Sequence, residues 1–257
     1  HVMRRLLFFV LFVCLHSFLY AEIRIMPLGD SITYDDSYAD NGSNARPASV
    51  RHAYRNYLWY KLKSDRYPVN FVGSRVAGTA IRPPFDPDNE GYPGETSDFI
   101  GNIIYNRLVR FHPDIILLHI GTNDRWRISP SGSYMGGMRH IFDEIDRYEN
   151  DYEHPVKVLV ALIIGRRNYQ FSGFTNNFNN HLKNLVNSRI QNGDKLALVD
   201  MQHDAGLDYA HDFRDPAHPT DRGYVKMANL WYTHLKPILD QKDEYAWLIP
   251  VYGLLMN

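Results

Sequence analysis

Cysteine is nearly missing: the 257 residues contain one, Cys14. It lies within the apolar run Leu6 to Leu19, which follows Arg4 and Arg5 and precedes Tyr20-Ala21. A short basic stretch, an apolar segment of this length and a small residue at its end form the pattern of a secretory signal peptide. We expect residues 1–21 to be removed by cleavage after Ala21, and the protein to be secreted or periplasmic. The mature chain then carries no thiol. That excludes a disulfide scaffold, a cysteine nucleophile and cysteine-ligated zinc. Phe12 and Val13 stand where a lipid anchor on Cys14 needs small residues.

An excess of charge of one sign is also lacking. Lys and Arg number 28, and Asp and Glu 29. Removal of residues 1–21 takes away two arginines and no acid, leaving 26 bases against 29 acids and a formal charge of −3. Such a balance offers no basic face to nucleic acid or to an anionic membrane. Long hydrophobic runs are scarce as well. The run Leu6 to Leu19 falls short of the roughly 20 residues that span a bilayer. The apolar tail Trp247–Met256 is shorter still, and we expect it to rest on the body of the protein. No stable membrane insertion is expected once the signal is removed.

What is present is an alternation. Five runs rich in Ile, Val and Leu recur at Ile23–Leu28, Val69–Val72, Asp114–Ile120, Val156–Ile164 and Lys195–Asp200. Ile115-Ile116-Leu117-Leu118 is apolar on consecutive residues, as in a strand covered on both faces. Between the runs, Tyr54, Leu58 and Leu62 share one helical face, as do Phe174, Phe178, Leu182 and Leu185. Tyr224, Met227, Ala228, Trp231 and Leu235 mark a last helix. Strands alternating with helices predict an α/β fold, a three-layer α/β/α arrangement on a five-stranded, mostly parallel sheet in flavodoxin-like order. No repeat, low-complexity tract or linker divides residues 22–257. They are expected to form a single domain with an apolar tail over 246–257. The stretch Arg75–Pro93, rich in Pro, Gly and Asp, is expected to be a long loop.

Chemistry in such a fold sits at the carboxyl ends of the strands. The first strand ends in Gly29-Asp30-Ser31, which presents a serine there. The third ends in Gly121-Thr122-Asn123-Asp124, whose Asn123 amide suits an oxyanion. Each segment also reads as an ordinary turn. A serine nucleophile needs a base, and the base an orienting carboxylate. Asp-x-x-His occurs three times: Asp200/His203, Asp208/His211 and Asp215/His218. In each the two side chains fit one turn, so spacing alone does not choose among them. Context favours the third, because Pro219 stiffens the backbone and Thr220 is placed to cap the last helix. His203, Asp204, His211 and Asp212 together form a weaker candidate for a metal site.

Gly29-Asp30-Ser31, Gly94, Gly121-Thr122-Asn123-Asp124 and Asp215-Pro216-Ala217-His218 fall in the order of the SGNH (GDSL-type) hydrolases. The sequence resembles that superfamily over nearly the whole mature chain, and within it is most similar to the family 3 carbohydrate esterases, the acetyl xylan esterase group. Ile25–Thr33, Glu90–Gly94, Leu117–Asp124 and His218-Pro219 with Gly223-Tyr224 carry that likeness. The resemblance implies Ser31 as nucleophile, His218 as general base and Asp215 as its orienting carboxylate. It implies an oxyanion hole from the Ser31 and Gly94 N–H groups and the Asn123 side chain, with Asp30 supporting the loop. No metal or organic cofactor is implied. Ile32 replaces the leucine of the motif, and Tyr92 and Glu95 replace a common His and Trp, both expected near the site mouth.

The implied reaction is hydrolysis of small acyl esters, acetyl foremost, on a polysaccharide. Tyr34, Tyr38, Tyr92 and Trp126 are candidates for aromatic faces against sugar rings. Other substrates fit the same machinery: a lysophospholipid, a simple aryl ester or O-acetylated peptidoglycan. A non-catalytic glycan-binding protein is the rival of another class. Retention of Ser31, Asn123, Asp215 and His218 argues against it.

Overall fold

A computed structural model describes residues 22–126, 135–167 and 173–246. Strand β1 (Ile23–Gly29) is the axis of the sheet. Ile25 and Met26, adjacent in sequence, are both fully buried on opposite faces, as the unbroken apolar run requires. The strands formed by the other four apolar runs lie parallel with it: β2 (Val69–Phe71), β5 (Ile115–His119), β6 (Lys157–Ala161) and β7 (Leu196–Val199). Their order is β2-β1-β5-β6-β7. These five strands correspond to the five apolar runs, in the flavodoxin-like order.

Among the described residues the sheet nevertheless has seven strands and not five. The additional pair, β3 (Arg75–Val76) and β4 (Asp88–Gly91), lies in the stretch expected to be only loop. β4 reads Asp-Asn-Glu-Gly and has no apolar residue for a periodicity to detect. It joins through its backbone, parallel to β1, with Leu28 opposite Glu90 and Gly29 opposite Gly91. β2 pairs with the first half of the same edge, at Ile23 to Ile25. One edge of β1 is thus covered by two strands in succession. β3 returns antiparallel to β4.

Helices cover both faces. On one side α2 (Arg55–Ser64) and α6 (Asp221–Ala246) pack Tyr54, Leu58, Leu62, Tyr224, Met227, Trp231 and Leu235 against Ile25, Leu117 and Leu159. On the other, α3 (Ser97–Phe111), α4 (Gly136–Tyr152) and α5 (Gly173–Gln191) bury Ile104, Phe142, Phe178 and Leu182 against Met26, Ile116 and Val158. The helical faces expected from the spacing are the buried ones. Burial of each such side chain contributes about 1.5–3 kcal/mol. Residues 1–21, expected to be a signal peptide, the side chain of Trp126 and the tail from Trp247 lie outside the described residues. Among the described residues no helix is long and apolar enough to cross a membrane.

Candidate active site

The carboxyl ends of β1, β4 and β5 meet the loop that leads into α6. β1 stops at Gly29, where a Cβ would stand 2.2 Å from the His119 carbonyl oxygen, so only glycine lets β1 and β5 close up here. Asp30 then caps the one-turn helix α1 (Ser31–Tyr34), its Oδ1 accepting from the Ile32 N–H at 2.9 Å. Ser31 is therefore the first residue of a helix pinned at both ends. At the other end the buried Arg55 donates to the carbonyls of Thr33 at 3.0 Å and Tyr34 at 3.5 Å, groups the helix leaves unpaired.

Ser31 Oγ lies 2.9 Å from His218 Nε2, across 187 residues of sequence. His218 Nδ1 lies 2.8 and 2.9 Å from the two Asp215 oxygens. That bond makes Nδ1 the donor and leaves Nε2 to accept from the serine. The Asp-Pro-Ala-His segment holds itself. Asp215 Oδ1 accepts from the Ala217 and His218 N–H groups, both at 2.9 Å, and the Arg214 N–H donates to the His218 carbonyl at 2.9 Å. The Thr220 hydroxyl accepts from the Gly223 N–H at 3.5 Å, the capping role its position suggested.

The other two Asp-x-x-His pairs do form, but on the surface. The side chain of His203 is 53% exposed and that of His211 70%, against 7% for His218. Each bonds its own aspartate, and neither approaches Ser31. The Asp212 carboxylate of the weaker metal candidate accepts from Lys226 at 2.6 Å.

Two cross-links join the turn after β5 to the loop after β4. The Asn123 amide donates to the Glu95 carbonyl at 3.0 Å, which leaves its second N–H for another acceptor. The Asp124 carboxylate accepts from the Ser97 N–H at 2.9 Å and from Ser97 Oγ at 2.5 Å, capping α3 from outside. Gly94 sits immediately before these anchors at φ 80°, in the left-handed region that glycine tolerates best. Gly121 at φ 127° is equally restricted, since a Cβ there would meet the Phe178 ring at 2.2 Å. Ser31, Gly94, Asn123 and His218 line one cleft of about 210 Å³, together with Asp36, Ser37, Tyr38, Asn41, Pro93, Thr122, Arg166 and Ala217.

Charge in the site is arranged by burial and hydrogen bonds. Burial works to raise the Asp215 carboxyl, but bonds from the His218 ring and from the Tyr38 and Ala217 N–H groups override it and hold the carboxyl well below the usual range. Asp30 is fully buried, and desolvation pushes it up to about 6 against the bond from Ile32. His119, buried at the end of β5, is pushed down to about 4 by burial.

The structure relocates several sequence-level candidates. Tyr92 is turned inward, away from the cleft. Its hydroxyl bonds Glu90, Ser74 and Arg107, and its ring packs on Phe99. Tyr34 is buried, with the guanidiniums of Arg51 and Arg75 over its ring. Tyr38 stays at the cleft, its ring edge-on to His218 at 5.1 Å. Sequence reasoning missed two of its contacts. Its N–H donates to Asp215 Oδ2 at 2.9 Å, and its hydroxyl accepts from Arg166. No local pattern marks either, because both join residues more than a hundred positions apart.

Residues 28–226 match the GDSL-like Lipase/Acylhydrolase family. A multidomain esterase of Ruminococcus flavefaciens is 28% identical over 86% of this chain and 29% of its own length. The chain thus spans less than a third of that relative. A family 3 carbohydrate esterase of Clostridium thermocellum is 27% identical, with a TM-score of 0.65 over 86% of this chain and 98% of that one. A family 3 carbohydrate esterase of Talaromyces cellulolyticus shares the fold, with 23% identity and a TM-score of 0.66 over 85% and 99%.

Proposed function

The chain belongs to the GDSL-like lipase/acylhydrolase family, and from that premise we propose that it is a secreted serine esterase removing small acyl groups, acetyl foremost, from a carbohydrate. The observation that carries this reading is the continuous hydrogen-bond path from Ser31 Oγ through His218 to Asp215, on the wall of an open cleft.

Ser31 Oγ attacks the acyl carbon while His218 Nε2 takes the hydroxyl proton. Asp215, ionised throughout, stabilises the imidazolium that forms. The negative charge on the former carbonyl oxygen is met by the N–H groups of Ser31 and Gly94 and by the second N–H of Asn123. His218 then gives its proton to the departing sugar oxygen, leaving the acyl group on Ser31. A water attacks next and loses its proton to His218. Collapse returns that proton to Ser31 Oγ and frees the acid.

The size of the cleft supports a small acyl group. About 210 Å³ lies below the roughly 300–1,000 Å³ typical of sites for larger ligands. Among its described lining residues Pro93 and Ala217 are the only aliphatic side chains, poor company for a fatty acyl chain. The carbohydrate assignment rests on likeness to the Clostridium thermocellum carbohydrate esterase. Acetate release from acetylated xylan, acetylated peptidoglycan and an aryl acetate tests the proposal beside Ser31→Ala. We expect release from xylan that drops at least about 10³-fold in the variant. Release from the aryl ester alone would remove the polysaccharide claim, and release undiminished in Ser31→Ala would remove the nucleophile.

A further inference from the structure

We propose that Arg166 makes this cleft selective for acyl esters on a glycan that carries a carboxylate near the ester, a uronic acid being the simplest such sugar; the inference rests on the esterase reading above. Arg166 follows β6, and its backbone is held on both sides. The Gly165 N–H donates to Tyr209 Oη at 3.0 Å, and the Arg167 N–H to the Pro216 carbonyl at 2.9 Å. The side chain therefore springs from a fixed point beside the Asp215–His218 loop and lines the cleft.

Its guanidinium donates to the Tyr38 hydroxyl. That tyrosine ring in turn stands edge-on to His218. The cation is thus one tyrosine away from the reacting imidazole, on the same cleft. A guanidinium has five N–H donors in a planar fork suited to a carboxylate, and Tyr38 occupies one of them.

The acids of the cleft are already answered. Asp36 is paired with Arg51 and Asp215 with His218. Among the described residues no carboxylate forms an ion pair with Arg166. Arg125 lies within electrostatic reach of Arg166: its guanidinium is pushed down first by burial and then by the Arg166 charge. A protein with more acids than bases here keeps two guanidiniums within electrostatic reach of one another, one of them lining the cleft. Repulsion of this kind is relieved when an anionic substrate enters.

The test uses two small esters that differ in one group: methyl O-acetyl-glucuronide, and methyl O-acetyl-glucoside with CH2OH in place of the carboxylate. We expect the protein to favour the glucuronide in kcat/KM by about 10-fold or more at low ionic strength, and the preference to shrink in 0.5 M salt as charges are screened. In Arg166→Gln the ratio of the two constants is expected to fall to about one, with Arg166→Lys between. Cleavage of the neutral ester with a ratio near one in the unaltered protein overturns the inference and leaves the esterase reading standing. A preference that survives Arg166→Gln also overturns it. Failure to cleave either sugar ester or an aryl acetate removes the esterase reading itself. Should the variant not fold, the ratio in the unaltered protein and its salt dependence decide the matter.

Discussion

Asn123 is the residue whose role is most open to measurement. One of its N–H groups is committed to the Glu95 carbonyl, so the other points where the anchored amide sends it. Loss of one such donor costs about 2.7–4 kcal/mol of barrier. We expect Asn123→Ala to lower kcat about 10²–10³-fold with little change in KM. A change in KM alone would mean that the amide binds substrate and does not serve the transition state. Ser31, Gly94, Asn123, Asp215 and His218 were all legible as residue types in ordered blocks. The choice of Asp215/His218 among three identical spacings was not legible from spacing. Burial of His218 favours the third pair, and burial is a property of the folded chain. Tyr38 was legible only as a candidate aromatic face, and Arg166 escaped altogether, because neither sits in a motif and their contacts are long-range.

At the scale of elements, the parallel strands announced themselves through consecutive apolar residues, and the helices through their spacing. β3 and β4 did not. Their pairing uses backbone groups, which every residue carries, and their polar side chains follow no hydrophobic period. β4 matters all the same, since it delivers Gly94 to the cleft. The brace between Asp124 and Ser97 holds that delivery in place. In Asp124→Ala a buried N–H and hydroxyl lose their acceptor, at about 1–3 kcal/mol each. We expect a lower melting temperature together with a fall in kcat, both measured on the same preparation. A fall in stability with kcat intact would show that the brace serves α3 and not the site.

At the scale of the whole molecule, two buried groups beside the strand β1–β5 contact oppose one another in acid. His119 has a folded value of about 4 against 6.5 when unfolded. Between those values the unfolded chain binds a proton that the native state refuses, so this group costs stability as pH falls from 6.5 to 4. Asp30 has a folded value of about 6 against 3.8. It binds a proton in the native state first, and adds stability as pH falls from 6 to 4. Each shift corresponds to about 3 kcal/mol. We therefore expect His119→Gln to gain stability relative to the unaltered protein across this fall in pH, and Asp30→Asn to lose it. Melting temperatures taken from pH 7 to pH 4 check the prediction, and parallel curves for all three proteins would sink it.

The hydrogen bond from Ser31 to His218 joins the first strand to the last helix's approach, 187 residues later. A ribosome adding about 5–20 residues per second needs roughly 10–40 s to travel between them. For all that time the serine hydroxyl is an ordinary alcohol. The imidazole and its carboxylate arrive together, on four consecutive residues, after every strand of the sheet has been made. On the proposed mechanism reactivity is thus a late event in the life of the chain, and a fragment truncated before Asp215 is expected to release no acetate from an aryl ester.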